Sequence, residues 1–299
     1  MKKIKVSVII PSYNSSQTIE RCLTSLEQQE TSEKFEVIVV DSSTDNTKVI
    51  IEAKFPHVNL YCFSDRKYAG VARNFGVSKS SGDIIVFTDA DCFVESNWIN
   101  QIIAAHQKTD MPVIGGSIAN GNPESYIGWA YYFSSFNRFL PRPGVYKYTD
   151  LATGCLTIKK WIFEKYGYFS EDKFAEDTLF CWQMAEAGYP LLFMPDIKVY
   201  HINLENWQEF ILKKIQHGKA FAQVRVRKYN FSTGKHLVYI LGSPLLPLLL
   251  IYRCTKEVLK APIYWKYFSQ VLPLICLGLL AWSWGEFLGY FKKNQSLLK

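Results

Sequence analysis

Short apolar runs rich in β-branched residues alternate with longer stretches of helical periodicity through the first hundred residues. Val6 to Ile10, Phe35 to Val40, Val58 to Phe63 and Ile84 to Thr88 read as strands. Between them the spacing predicts helices over Thr18 to Gln29, Asp45 to Lys54 and Gly70 to Ser80. That rhythm predicts an α/β fold with a mostly parallel sheet flanked by helices, because parallel neighbours need crossover connections. Ligands then belong in the loops at the carboxyl ends of the strands.

The alternation weakens after Met111, and Glu124 to Tyr148 gathers nine aromatic residues, from Tyr126 and Trp129 to Tyr146 and Tyr148. These fit core packing or an acceptor groove equally well. Further strands are expected over Leu151 to Ile158 and Leu191 to Met194, and a helix over Asp177 to Ala187, stopped by Gly188. From Trp207 the apolar positions Phe210, Ile211, Ile215 and Ala222 share a helical face, with Lys213, Lys214, Lys219, Arg225, Arg227 and Lys228 around it, the pattern of an interfacial amphipathic helix. Two hydrophobic segments follow. Leu237 to Tyr252 is uncharged but has only sixteen residues and contains Gly242, Pro244 and Pro247; a straight span needs about 20 residues. Tyr267 to Phe291 is long enough, with Glu286 as its one acid. The expected organisation is a catalytic domain over 1–205, a basic amphipathic helix over 206–235 and a membrane region over 236–299.

Charge changes the picture once it is divided along the chain. The formal +7 is not spread evenly: Met1 to Glu209 holds 20 Lys and Arg against 25 Asp and Glu, whereas Phe210 to Lys256 holds nine cations and no acid. Basicity beside the most apolar segments suits an anionic membrane surface, and with no basic reading element in the first two thirds a nucleic-acid partner is not expected. Membrane lipids are the expected partner. Seven cysteines without a Cys-x-x-Cys pair indicate neither a zinc site nor a disulfide framework. The basic start, Met1 to Lys5, leads into a strand rather than a cleavable signal, so the expected location is the cell membrane with the catalytic domain on its cytoplasmic face. The basic loop of Arg253, Lys256, Lys260 and Lys266 agrees with that face but conflicts with a two-helix hairpin, which would export it; a kinked re-entrant or interfacial first segment avoids the conflict, so one or two spans both stay open.

The chemistry concentrates where the sheet predicts it. Asp89-Ala90-Asp91 follows the fourth strand, and paired carboxylates of this kind hold Mg2+ or Mn2+ together with substrate phosphates. Alone, an Asp-x-Asp is a common polar strand end. Here it stands in an ordered series: Val8-Ile9-Ile10-Pro11-Ser12-Tyr13-Asn14, Val37 to Asp45, Ala69-Gly70-Val71-Ala72-Arg73-Asn74-Phe75-Gly76, Asp83 to Asp91, and Ala175-Glu176-Asp177. In order and approximate spacing this series resembles family 2 glycosyltransferases over roughly residues 4 to 203. The resemblance implies a GT-A fold, a nucleotide-sugar donor, a divalent metal and an inverting reaction. It also implies Pro11 and Tyr13 at the nucleobase, Asp41 at the base or ribose, Asp45 shaping that loop, Arg73 on the donor side, and Asp89 and Asp91 at the ribose and metal. Asp177 corresponds to the base that takes the acceptor's proton, and His201 to a further metal or phosphate contact. Asp41 and Asp45 equally fit helix caps, a role compatible with ribose binding.

Some positions depart from the family pattern. Val40 replaces the first Asp of a pair, Leu179 and Gln183 replace the Asp and Arg common after Glu-Asp, and the Gln-x-x-Arg-Trp signature of processive synthases is absent, since Gln216 is followed by Lys219-Ala220. The expectation is single-sugar transfer from a UDP- or GDP-sugar to a lipid-linked or membrane-proximal glycan acceptor, in cell-envelope glycolipid or polysaccharide synthesis. The alternative, a silent nucleotide-sugar-binding scaffold on the membrane, does not account for the retained metal and base carboxylates.

Overall fold

The structure is a computed structural model that describes residues 4–171 and 175–291. Its strands are β1 (Val6–Ser12), β2 (Phe35–Asp41), β3 (Asn59–Cys62), β4 (Ile84–Phe87), β5 (Cys92–Val94), β6 (Val113–Asn120), β7 (Tyr146–Tyr148), β8 (Leu156–Lys159) and β9 (Leu191–His201). Its helices begin with α1 (Ile19–Glu27), α2 (Thr47–Lys54), α3 (Ala69–Lys79), α4 (Trp98–Lys108) and α5 (Tyr126–Phe136). They continue with α6 (Trp161–Tyr166), α7 (Glu176–Glu186), α8 (Trp207–Lys228), α9 (Thr233–Gly242), α10 (Leu246–Leu259) and α11 (Trp265–Phe291). The chain forms two compact units, 1–121 with 141–202, and 122–140 with 203–299.

The first unit is built on one mixed sheet in the order β3-β2-β1-β4-β8-β6-β9-β5, with β7 pairing β9. The first four strands are parallel, as their β-α rhythm predicts, and β8 then adds antiparallel to β4. The core of this half is made by the fully buried Val6, Val8, Ile9 and Ile10 of β1 together with Ile38, Val39, Ile85, Val86 and Phe87. Helix α1 lays Ile19, Cys22, Leu23 and Leu26 into the core at three- and four-residue spacing, the geometry of one helical face. Glycine lets α3 approach β1, since a Cβ at Gly76 would stand 2.4 Å from Ile9 Cγ2.

The second half of the sheet departs from the sequence reading. Leu151 to Cys155 is not strand: Thr153–Cys155 forms a 3-10 turn and β8 begins only at Leu156. Strand β9 runs on from Leu191 past Pro195 to His201, although Pro lacks a ladder donor. A register shift between Gly115 and Ser117 of β6 faces this point, and Ser117 Oγ donates to the Pro195 carbonyl at 2.7 Å. The bulge supplies a side-chain hydroxyl where the regular backbone pairing is lost.

The second unit is helical. Around α11 lie α5, α8, α9 and α10; Trp129 stacks on Tyr267 at 4.4 Å and Phe133 meets Phe268 edge-on at 5.4 Å. Glu286 is buried but neutralised: Arg225 Nη1 lies 3.1 Å from its Oε2, and Trp282 Nε1 and the Tyr290 hydroxyl donate to it at 2.8 and 2.9 Å. Residues Thr233–Leu259 and Pro262–Phe291 are long and apolar enough to cross a membrane, each with a mean hydropathy of 1.7.

Candidate active site

The carboxyl ends of β1, β2 and β4 are aligned by their parallel registers, Ser12 opposite Asp41 and Ile9 opposite Phe87. The loops that leave them are laced together. Asn14 takes φ 53°, in the left-handed region that Asn tolerates, and its N–H donates to Ser43 Oγ at 2.7 Å while its Oδ1 accepts from Thr44 N–H at 2.9 Å. Asp41 is buried and accepts the Ser43 hydroxyl at 2.6 Å. Asp45 receives the N–H groups of Ser16 at 3.1 Å and Thr47 at 3.0 Å. Partial desolvation works against its charge, but the hydrogen bonds from Thr47 and Ser16 prevail and bring its pKa down to about 2. Asp45 is therefore a permanently charged brace between two loops. Pro11 is half-buried beside Tyr13, which is 37% exposed and whose ring centroid lies 3.9 Å from the Arg66 guanidinium carbon.

After β4 the chain turns through Asp89 and Asp91 into β5. This short strand pairs antiparallel with β9 and sets Cys92 opposite His201, while Ile202 N–H donates to the Asp91 carbonyl at 2.9 Å. The ladder brings together residues 110 positions apart: Asp91 Oδ2 stands 3.5 Å from His201 Nε2. Donor atoms of Asp89, Asp91 and Cys92 lie within 4.8 Å of one another. Burial, reinforced by the Asp91 and Asp89 charges, pushes the Cys92 thiol well up. Two carboxylates and an imidazole held on paired strands fit a hard divalent cation such as Mg2+ or Mn2+.

Arg73 joins this end to the expected base. It is buried on α3, with Nη1 2.5 Å from Glu176 Oε1 and Nη2 2.6 Å from Asp89 Oδ1. Its Nε is buried with no hydrogen-bond partner among the described residues. Glycine again permits the approach, since a Cβ at Gly70 would stand 2.5 Å from the Ser170 carbonyl and 3.2 Å from Glu176 Cγ. Ala175 enters α7 at φ 63°, a left-handed conformation that costs an L-residue roughly 1–2 kcal/mol, and so aims Glu176 and Asp177 from the first turn. Burial pushes the Glu176 carboxyl up to about 7 against the pull of Arg73. Burial also raises Asp177, opposed by Arg73 and by the N–H groups of Thr178 and Thr153. The 3-10 turn over Thr153–Cys155 borders Asp177 through the Thr153 N–H and Asp89 through Gly154, where a Cβ would stand 3.4 Å from Asp89 Oδ2.

Removing the cation from this buried cluster leaves carboxylates uncompensated, a loss worth about 3–5 kcal/mol. Arg73→Met is expected to lower unfolding stability by that amount in urea titration; a loss under about 1 kcal/mol contradicts the clamp.

The structure thus places Arg73, Asp89, Glu176 and Asp177 in one cluster, Asp91 with His201 beside it, and Pro11, Tyr13 and Asp41 at the neighbouring strand ends. Sequence reading does not single out Arg66, although its place in the loop after β3 is where ligand contacts are expected. Nor does it give Glu176 a role, since its partner is 103 residues away.

Among solved structures, the chain is similar to the mannosyltransferase PcManGT from Pyrobaculum calidifontis in complex with GDP-Man and Mn2+, with a TM-score of 0.65 and 18% identity over 96% of this chain and 88% of that one. The mixed sheet with carboxylates at its strand ends is a GT-A fold. Glycosyl transferase family 2 matches residues 7–167, more than half of the chain, and the chain belongs to that family. It is a glycosyltransferase. Glycosyltransferase AglE of Haloferax volcanii is 28% identical over 225 residues, 73% of each chain. The UDP-Glc:alpha-D-GlcNAc-diphosphoundecaprenol beta-1,3-glucosyltransferase WfgD of Escherichia coli is 30% identical over 157 residues, 51% of this chain and 58% of that protein.

Proposed function

We propose that the chain transfers a single sugar, with inversion, from a UDP- or GDP-sugar to a lipid-linked or membrane-proximal acceptor in cell-envelope glycolipid or polysaccharide synthesis. It works at the membrane, with residues 1–205 as the catalytic domain on the cytoplasmic face and the basic and apolar helices beyond as the attachment. The observation that carries the reading is the Arg73 clamp, which fixes Asp89 of the Asp-x-Asp turn to Glu176, the neighbour of Asp177. The GDP-Man and Mn2+ of the PcManGT complex, and the UDP-Glc and diphosphoundecaprenol for which WfgD is named, support the donor, metal and acceptor classes.

In this reading Tyr13, backed by Arg66, and Pro11 form the nucleobase face, and the Asp41 carboxylate faces the ribose. Asp91 and His201 would hold a divalent metal, Mg2+ or Mn2+, which when bound offsets charge on the departing diphosphate. Asp89, oriented by Arg73, would contact the donor's ribose. Asp177 accepts the proton of the acceptor hydroxyl or phosphate as it attacks the anomeric carbon opposite the leaving group. Its raised pKa makes it a better base than an exposed aspartate.

The sign of the pH dependence follows. The reactive form is the carboxylate, so kcat/KM falls as pH drops through the folded-state pKa of Asp177, which lies above the ordinary Asp value of 3.8. The expected profile has an acid limb displaced upward from that of an ordinary aspartate, read from initial rates in a pH series; a rate with no acid limb above the ordinary aspartate range contradicts Asp177 as the base. The reaction itself is tested by incubating the full chain with labelled UDP- and GDP-sugars and membrane lipid extract. An organic-phase product with inverted anomeric configuration is expected; label only in water-soluble product, or with retained configuration, would sink the proposal.

A further inference from the structure

The second unit presents a continuous apolar exterior. Along α9, the 3-10 turn Ser243–Leu245 and α10, Val238, Leu241, Leu245, Leu248 and Tyr252 recur at three- and four-residue spacing and are each between 63% and 77% exposed. On α11, Leu277, Leu280, Trp284 and Phe291 form a similar stripe. Cations border these stripes, Arg227, Lys228 and Lys235 around the start of α9 and Arg253, Lys256, Lys260 and Lys266 around the α10–α11 turn, which matches anionic headgroups around a hydrocarbon-facing surface.

Length and composition admit both segments as spans, but packing does not leave either one free to cross. Helix α8 lies along α11 from Gly278 to Tyr290. A Cβ at Gly218 would stand 2.1 Å from the Trp282 carbonyl, one at Gly285 2.1 Å from the Ile215 carbonyl, and one at Gly289 2.6 Å from the Lys219 carbonyl. This backbone-to-backbone contact fixes the depth of that half of α11 to the depth of α8. Helix α8 carries Lys213, Lys214, Lys219, Arg225, Arg227 and Lys228, and such a helix does not enter hydrocarbon. What remains, Trp265 to Leu277, is thirteen residues or about 20 Å, against a hydrocarbon core of about 30 Å. In the other segment the uncharged run from Leu237 to Tyr252 reaches about 24 Å, and the segment is tied to the rest of the unit, Tyr239 against Tyr290 at 5.3 Å between ring centroids and Cys254 Sγ donating to the Phe133 carbonyl at 3.4 Å.

We infer that the second unit is monotopic: α9, α10 and the outer face of α11 lie in one leaflet of an anionic bilayer, and none of them crosses it. The inference rests on the membrane reading above and specifies its depth. It also removes the conflict over the basic turn, which stays on the side from which the chain approaches. The outward stripes sit at the headgroup–acyl boundary, Trp265, Tyr267 and Trp284 provide amphipathic anchors, and the cations of the turn meet lipid phosphates.

Two measurements separate attachment from depth. In flotation with vesicles of phosphatidylglycerol and phosphatidylcholine, the full chain is expected to float with the anionic vesicles, and Leu241→Glu with Leu248→Glu to lower the bound fraction at least tenfold. A chain that stays off vesicles, or pairs with a second copy through this face, overturns the membrane reading and the inference together. In sealed inverted membrane vesicles and in spheroplasts, labelling by an impermeant maleimide is then compared at Lys260→Cys, at a cysteine appended after Lys299, and at the exposed native Cys62 of the first unit. Labelling of all three from the same side is expected. A chain that floats but shows Lys260→Cys or the appended cysteine labelled from the side opposite Cys62, or from neither side, overturns the monotopic inference alone.

Discussion

Asp91→Ala is expected to lower kcat by on the order of 10³-fold while the protein stays folded. Asp91 is partly exposed, its side chain 42% accessible, so it is not needed to fill the core. Its carboxylate is set 3.5 Å from His201 by the β5–β9 ladder, and the pairing of those strands is made by backbone groups that the substitution leaves in place. A ligand lost from a metal that neutralises a leaving diphosphate removes several kcal/mol of transition-state stabilisation, and each tenfold in rate corresponds to about 1.4 kcal/mol. The same variant should need a much higher Mn2+ or Mg2+ concentration for its residual rate. Wild-type activity at the wild-type metal requirement would remove Asp91 from the site.

Asp177→Asn should cost about 10²–10⁴-fold in kcat, the usual contribution of a positioned general base, with little change in donor KM. The substitution keeps the shape and removes only the proton acceptor, and Thr178 N–H, which donates to Asp177 Oδ1 at 2.7 Å, can still donate to the amide oxygen. It should also abolish the acid limb of the pH profile, because the group that titrates there is gone. A variant with a normal rate, or one whose acid limb persists unchanged, would assign the proton transfer to another residue, and Glu176 would be the next to test. Glu176 is already committed to Arg73, so its replacement should act on the alignment of Asp89 and Asp177 together, in donor KM as well as kcat.

The parallel half of the sheet was legible because its determinants are local. Val6 to Ile10, Phe35 to Val40 and Ile84 to Thr88 are apolar-rich runs that need no partner to be recognised, and Asp41 and Asp89 follow two of them at the strand ends where ligands are expected, a placement that gains meaning from the ordered motif series. The antiparallel half was hidden by residues that serve approach rather than propensity. Strand β6 contains Gly115-Gly116, poor strand formers, yet a Cβ at Gly116 would stand 2.2 Å from the Ile197 carbonyl, so the glycine is what allows β9 to lie there. Strand β9 looked finished at Met194 because Pro195 cannot donate, and only the bulge in β6 shows why it continues. The chemistry divided in the same way. Asp89, Asp91 and Asp177 stand in motifs that can be read along the chain, whereas the Arg73–Glu176 pair, the contact of Arg66 with Tyr13 and the sheathing of α11 by α8 depend on residues brought together from distant parts of the sequence.

The most direct test of the central claim is release of nucleoside diphosphate from a panel of UDP- and GDP-sugars by the full chain, with membrane lipid as acceptor. At least one donor is expected to turn over in Mn2+ or Mg2+, to stop when the cation is chelated and to resume when it is restored. Turnover that persists at the same rate under chelation, or no turnover of any nucleotide sugar with either metal, would contradict an acid-held cation and a carboxylate base as the working parts of this protein.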